Sequence, residues 1–126
     1  MRHSENMMKW TIQSAWVISI ILVVCLSLTP RIEIPYQFTG ADKLAHCLAY
    51  AWLAILPLFA FERMRAAFTG AFLMVPLGIG LEFAQRHVPG RDFSVLDIVA
   101  DNAGVALGIV AAGYVKNKRL HSQGLT

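Results

Sequence analysis

Seven ionisable residues fall within or at the edges of long apolar stretches: Asp42, Lys43, His46, Glu82, Arg86, Asp97 and Asp101. Their spacing is regular. Asp42, His46 and Tyr50 are four apart, as are Gly78, Glu82 and Arg86, and Asp97 and Asp101 lead a run that continues with Gly104 and Gly108. On helices a spacing of four puts side chains on one face, so three segments can each aim polar groups at a common volume. Two chemistries suit the set. Lys43, Arg86 and Arg91 could hold a phosphate or carboxylate, with Glu82 and Asp97 orienting those cations. Alternatively, His46, Glu82, Asp97 and Asp101 could act as acid, base or metal ligands, since imidazole with carboxylates suits a divalent cation. No compact metal motif such as His-Glu-x-x-His is present, and neither a resident metal nor a cofactor is expected.

Structural roles compete with both. Thr39 with Asp42, and Ser94 with Asp97, have the capping-box spacing, in which a hydroxyl and a carboxylate three residues on satisfy free amides at a helix start. Asp101 resists that explanation, lying roughly 10 Å along a helix from Ser94, where no amide needs a cap and an unpaired charge is costly. Glu82 falls near a helix C-terminus, where a carboxylate opposes the dipole, so it calls for a cation: Arg86, Arg91, Lys43 or His46. A salt-bridge network that merely fixes helix register is the third reading of the cluster.

The elements that must position these residues follow from composition. The chain has 126 residues, 56% hydrophobic and 15% charged, against roughly a quarter charged in soluble domains. Four windows, 10–29, 44–61, 66–85 and 95–115, approach the ~20 apolar residues that cross a ~30 Å hydrocarbon core. The expected fold is an all-α, four-helix transmembrane bundle forming a single domain over 1–126. No soluble catalytic domain fits in the remainder. The first window is uncharged from Trp10 to Pro30, longer than a signal-peptide core, and LSLTPR is a poor cleavage site, so it is read as a retained helix.

Charge distribution sets an expected topology. Of eleven basic residues, seven (Arg2, Lys9, Arg63, Arg65, Lys116, Lys118 and Arg119) fall at one end of an antiparallel bundle. The positive-inside rule then makes both termini cytoplasmic. A basic balance of this kind is a topology signal and a contact for anionic headgroups, and nucleic acid is excluded as a partner. The seven ionisable residues all lie toward the other end, in the outer half of the bundle. One-sided placement argues against a proton or ion path across the membrane. The stripe Asp97, Asp101, Gly104 and Gly108 is small below its acids and should face the bundle. Cys25 and Cys47 fall at similar depth, but both sit in apolar helical sequence and are read as unbridged. In the external loop TPRIEIPYQFTG, Ile32, Ile34, Tyr36 and Phe38 alternate with polar residues and proline, which suits a short extended segment or an interfacial loop.

The segments DKLAHCLAYAWLA and GIGLEFAQRHVPGRDFSVLDIVADNAGVALG carry a further pattern. Asp42, Lys43 and His46, then Glu82 and Gln85, then Pro89, Gly90 and Arg91, then Asp97, Asn102 and Gly104 together resemble the VanZ-like family of small bacterial membrane proteins, over roughly residues 40–110. The resemblance implies a multi-pass protein of the bacterial inner membrane, in a family whose founding member is linked to low-level resistance to teicoplanin, a lipid-bearing glycopeptide. It implies no settled reaction.

The leading functional expectation is a polar pocket in the outer half that recognises an envelope lipid, a lipid-linked cell-wall precursor or an amphiphilic antibiotic. Its expected lining is Asp42, Lys43, His46, Glu82, Gln85, Arg86, Arg91, Asp97, Asp101 and Asn102. A membrane-embedded hydrolase or transferase, possessing a metal or not, and a structural or partner protein remain as alternatives. Membrane lipids or lipid-linked envelope intermediates are the expected partners.

Overall fold

The computed structural model describes residues 1–31 and 40–124. The alternation of Ile32, Ile34, Tyr36 and Phe38 lies outside the described residues, as does the Thr39 half of the Asp42 capping box. All described regular structure is helical: α1 (Arg2–Ser27), α2 (Ala41–Ala60), α3 (Met64–Phe72), α4 (Met74–Gln85) and α5 (Val95–Ser122). Helices α3 and α4 form one pass, so four spans are long and apolar enough to cross a membrane. Large apolar side chains lie exposed on every span, among them Ile18, Leu48, Phe83 and Val110, as a lipid-facing surface requires.

The largest departures from the sequence expectation each have a local reason. Helix α1 starts at Arg2 rather than Trp10, and α5 runs to Ser122 rather than Val115. No proline or glycine interrupts Arg2–Lys9, and α5 carries Arg119 and His121 in its last turn, where cations suit the helix dipole. The third span breaks at Leu73, three residues before Pro76. A proline there removes the amide that would bond to the Phe72 carbonyl and crowds that carbonyl.

Helices α2 and α5 form the central pair. Along α5 the buried residues are Asp97, Asp101, Gly104, Val105, Gly108 and Ala112, a continuous helical stripe. Glycine is required at two of these positions. A Cβ on Gly104 would come within 2.2 Å of the Cys47 carbonyl oxygen, and one on Gly108 within 2.5 Å of the Ala51 oxygen. Tyr50, Leu53, Ala54, Ala71, Met74 and Val105 make the main core, and Leu58, Ala67 and Ala112 a second one toward the basic end.

Helix α1 has no buried residue. Its Trp16, Ile20 and Val23 pack, half-buried, against the main core, and polar contacts add to that packing. Pro57 within α2 supplies no amide to the Leu53 carbonyl, and Trp16 Nε1 of α1 donates to that oxygen at 2.9 Å. Gln13 donates to the Ala60 carbonyl at the end of α2 (3.1 Å), and Trp52 donates to Ser19 (3.1 Å). At the basic end Lys9 pairs with Glu62, whose carboxyl is held below the usual glutamate range by that ammonium. Cys25 and Cys47 are free thiols.

Candidate functional site

The end of the bundle opposite the Lys9–Glu62 pair gathers polar side chains from α2, α4 and α5. Lys43, in the first turn of α2, donates to Asp97 of α5 and lies 3.5 Å from Asp42. Asp42 also faces Arg31, at 3.5 Å. One turn deeper, His46 Nδ1 lies 2.8 Å from Asp101 Oδ1, while its Nε2 is 3.8 Å from Asp97 Oδ2. A proton on Nδ1 is therefore donated to Asp101, which fixes the ring between the two aspartates. The costly carboxylate of the sequence has its partner. Asp101 is 3% exposed and Asp97 6%.

Glu82 behaves differently from expectation. It is 1% exposed, and its Oε1 accepts the Ser94 backbone N–H at 2.8 Å. None of the four cations proposed for it forms an ion pair with it among the described residues. Ser94 does cap α5, accepting from the Asp97 amide at 3.3 Å. The reciprocal half of the capping box is supplied by Glu82, across from α4, rather than by Asp97. Asp97 is thereby released to Lys43 and His46. A neighbouring backbone amide leaves no side-chain signature in the sequence, so this partner was not legible.

Two expected pocket cations do other work. The Arg86 guanidinium is exposed and sits 6.0 Å from the Phe93 ring centroid, away from the acids. Arg91 donates from Nε to the Thr29 carbonyl (2.8 Å) and from Nη2 to the Leu26 carbonyl (2.9 Å), while Gln85 donates to the Ser27 carbonyl (3.1 Å). Together they satisfy the free carbonyls at the end of α1. The turn that delivers Arg91 needs Gly90, whose φ is +76°. Asn102 is half-buried and joins none of these hydrogen bonds.

A cleft of about 200 Å³ opens beside this network, between α1 and α2. Asp42, His46, Gln85 and Arg91 line its polar side, and Val23, Leu26, Ala45 and Ala49 its apolar side. Tyr50 closes the floor. Lys43, Glu82, Asp97 and Asp101 stand behind that lining rather than in it. Larger grooves of about 320 Å³ and 500 Å³ lie elsewhere, beside Lys9 and Glu62 and beside Phe68 and Phe72. Neither borders the ionisable network drawn from α2, α4 and α5, so the smaller cleft is the site of interest.

Sequence reasoning placed Tyr50 on the His46 face without assigning it to the site, and missed Arg31 and the contribution of α1. Gly78 is the enabling residue on α4. A Cβ there would meet Asp101 Oδ2 at 2.9 Å and Tyr50 Cε1 at 3.0 Å. The spacing of Gly78 and Glu82 on one face was legible; which side chains fill the glycine's space was not.

Fold and site together define a multi-pass helical membrane protein with a buried acid–imidazole network at one end of its bundle. No protein-family model matches the chain, and no curated protein or solved structure matches it.

Proposed function

We propose that this chain is a VanZ-like protein of the bacterial inner membrane, both termini cytoplasmic, whose cleft receives the headgroup of an amphiphile from the outer leaflet. The amphiphile is an envelope lipid, a lipid-linked cell-wall precursor or a glycopeptide-type antibiotic. The observation that supports this reading is the two-sided lining of the cleft. Its polar side suits a charged or hydrogen-bonding headgroup, and Val23, Leu26, Ala45 and Ala49 suit the first carbons of a chain. Of the residues that carry the family resemblance, Asp42, His46, Gln85 and Arg91 line the cleft and Lys43, Glu82 and Asp97 stand behind it.

In this reading the buried network is a rigid back wall. Asp97 and Asp101 hold Lys43 and His46 in place, so the lining is preorganised before any ligand arrives. The remaining Arg91 N–H groups and His46 then meet the headgroup. A catalytic reading has one specific support, the carboxylates converging on His46.

Native mass spectrometry of protein extracted in mild detergent tests the proposal, with an isoprenyl phosphate and a lipoglycopeptide as probes. Wild-type protein should form a one-to-one adduct with at least one of them. Ala45→Phe, which fills the cleft and alters no charge, should abolish that adduct. No adduct in wild type, or an equal adduct in Ala45→Phe, would refute the reading.

A further inference from the structure

We propose that His46, Glu82 and Asp101 form a divalent-cation site, with His46 Nδ1 and one oxygen from each carboxylate as the protein ligands. One ligand atom from each of the three lies within 4.8 Å of the others. Three points so spaced share a centre no more than about 2.8 Å away, so reaching the ~2.1 Å bonds of zinc or manganese needs inward shifts below about 1 Å. Such shifts are within rotamer adjustment.

Charge supports the same three residues over the other set that His46 joins. Asp42, His46 and Asp97 also converge, but Lys43 bonds to both aspartates and Arg31 faces Asp42, so two cations already balance those two acids. Glu82 and Asp101 have no such partner. Both are buried, and among the described residues neither pairs with a lysine or arginine. Two ionised carboxylates and a neutral imidazole carry two negative charges, which one divalent cation balances. Imidazole with two carboxylates favours zinc, manganese or ferrous iron over calcium or magnesium, which prefer all-oxygen shells.

The network supplies the outer support that a metal-bound histidine needs. On ligation Nδ1 gives up its hydrogen bond to Asp101, and the ring carries its proton on Nε2. That nitrogen already faces Asp97 Oδ2 at 3.8 Å, and Asp97 is held by Lys43. The cleft reaches His46 from the side of α1, which provides an entry path and room for water in an open coordination position. Such a position would also accept a phosphate or carboxylate oxygen of an amphiphile. The cation site itself stands whether or not the cleft takes an amphiphile.

Full-length protein in detergent, stripped with chelator and titrated with zinc or manganese chloride by calorimetry without added lipid, decides the matter. One ion per chain is expected, zinc the tighter. His46→Ala, Glu82→Gln and Asp101→Asn should each weaken binding at least tenfold. Asp97→Asn should cost roughly 10- to 100-fold, as loss of an orienting carboxylate does. His87→Ala, an exposed histidine at the same end, should change nothing. No saturable uptake by wild type, or uptake removed by His87→Ala, would overturn the site. Should any variant misfold, pulsed EPR of manganese-loaded wild type still decides: a directly bound imidazole nitrogen supports the site, and its absence refutes it. Failure here leaves the lipid adducts to be judged separately, because those are scored on Ala45→Phe.

Discussion

Replacing Gly104 with alanine probes whether the α2–α5 contact and the His46–Asp101 bond are one structural unit. The new Cβ would sit 2.2 Å from the Cys47 carbonyl oxygen and 3.0 Å from the Ala51 nitrogen. Both are backbone atoms, so no side chain can swing aside, and the helices must part by about 1 Å to restore ordinary contact. Overpacking of this kind costs roughly 1–3 kcal/mol. The same movement acts one turn away on Asp101 and next door on His46. A 2.8 Å contact stretched by that amount is no longer a hydrogen bond, and a buried carboxylate left short of a partner adds about 1–3 kcal/mol.

Alanine is the better helix former by about 1 kcal/mol, which works against the expected loss. Gly113→Ala removes that complication. It lies in the same helix, and nothing stands within 4 Å of its Cβ position. The difference between the two variants therefore isolates packing and the hydrogen bond, and should reach roughly 2–6 kcal/mol from those ranges. Detergent-titrated unfolding in mixed micelles, followed by circular dichroism, measures it. Gly104→Ala within about 1 kcal/mol of Gly113→Ala would refute the close-packed geometry and the rigid back wall built on it.

Two further outcomes follow from the seams that hold α1. Trp16→Phe keeps the ring but removes the donor to the Leu53 carbonyl that Pro57 leaves free, and should destabilise the bundle by about 1–2 kcal/mol in the same unfolding assay; no change would show that water or lipid headgroups satisfy that oxygen instead. At the basic end, Glu62 is fully exposed and its carboxyl is lowered by Lys9, so the pair stabilises above the ordinary glutamate value and the contribution fades as pH falls through the lowered one. Glu62→Gln should thus reduce the melting-temperature difference between pH 7 and pH 3, the bonded acids of the other end supplying the rest, and high salt should erase most of the Glu62-dependent part at pH 7; a difference unchanged by Glu62→Gln would contradict the pairing.

What was legible in the sequence is what periodicity encodes. Spacing of four on α2 and α5 puts Asp42 with His46 and Asp97 with Asp101, and apolar length delimits four passes. The small stripe at Gly104 and Gly108 does face a neighbouring helix. Periodicity names a face, though, and not the atom across from it. Arg86 shares a nominal face with Glu82 but lies past the end of α4, where the chain turns and its side chain meets Phe93. Arg91 is drawn to the exposed carbonyls of α1, partners that any sequence would offer. Glu82 takes a backbone amide for the same reason. The Trp16–Pro57 relationship was visible in principle, because a buried proline always leaves one carbonyl seeking a donor, but only the fold says which helix supplies it.

The arrangement of charge around His46 explains why one histidine can matter more than the four acids that surround it. Lys43 and Arg31 together balance the shallow aspartates, so that layer is saturated and serves as a clamp. The deeper pair, Glu82 and Asp101, has an amide and an imidazole but no permanent cation. His46 touches both layers, since its two nitrogens face Asp101 and Asp97. Any occupant of the deep layer, whether a proton or a divalent ion, is therefore felt at Nε2 and along Asp97 to Lys43. His46 also lines the cleft, so it couples the charge state of the buried pair to the surface that a headgroup would meet. A network serving only to fix helix register has no need of that coupling, and a saturated Lys43–Asp97 pair would have sufficed for it.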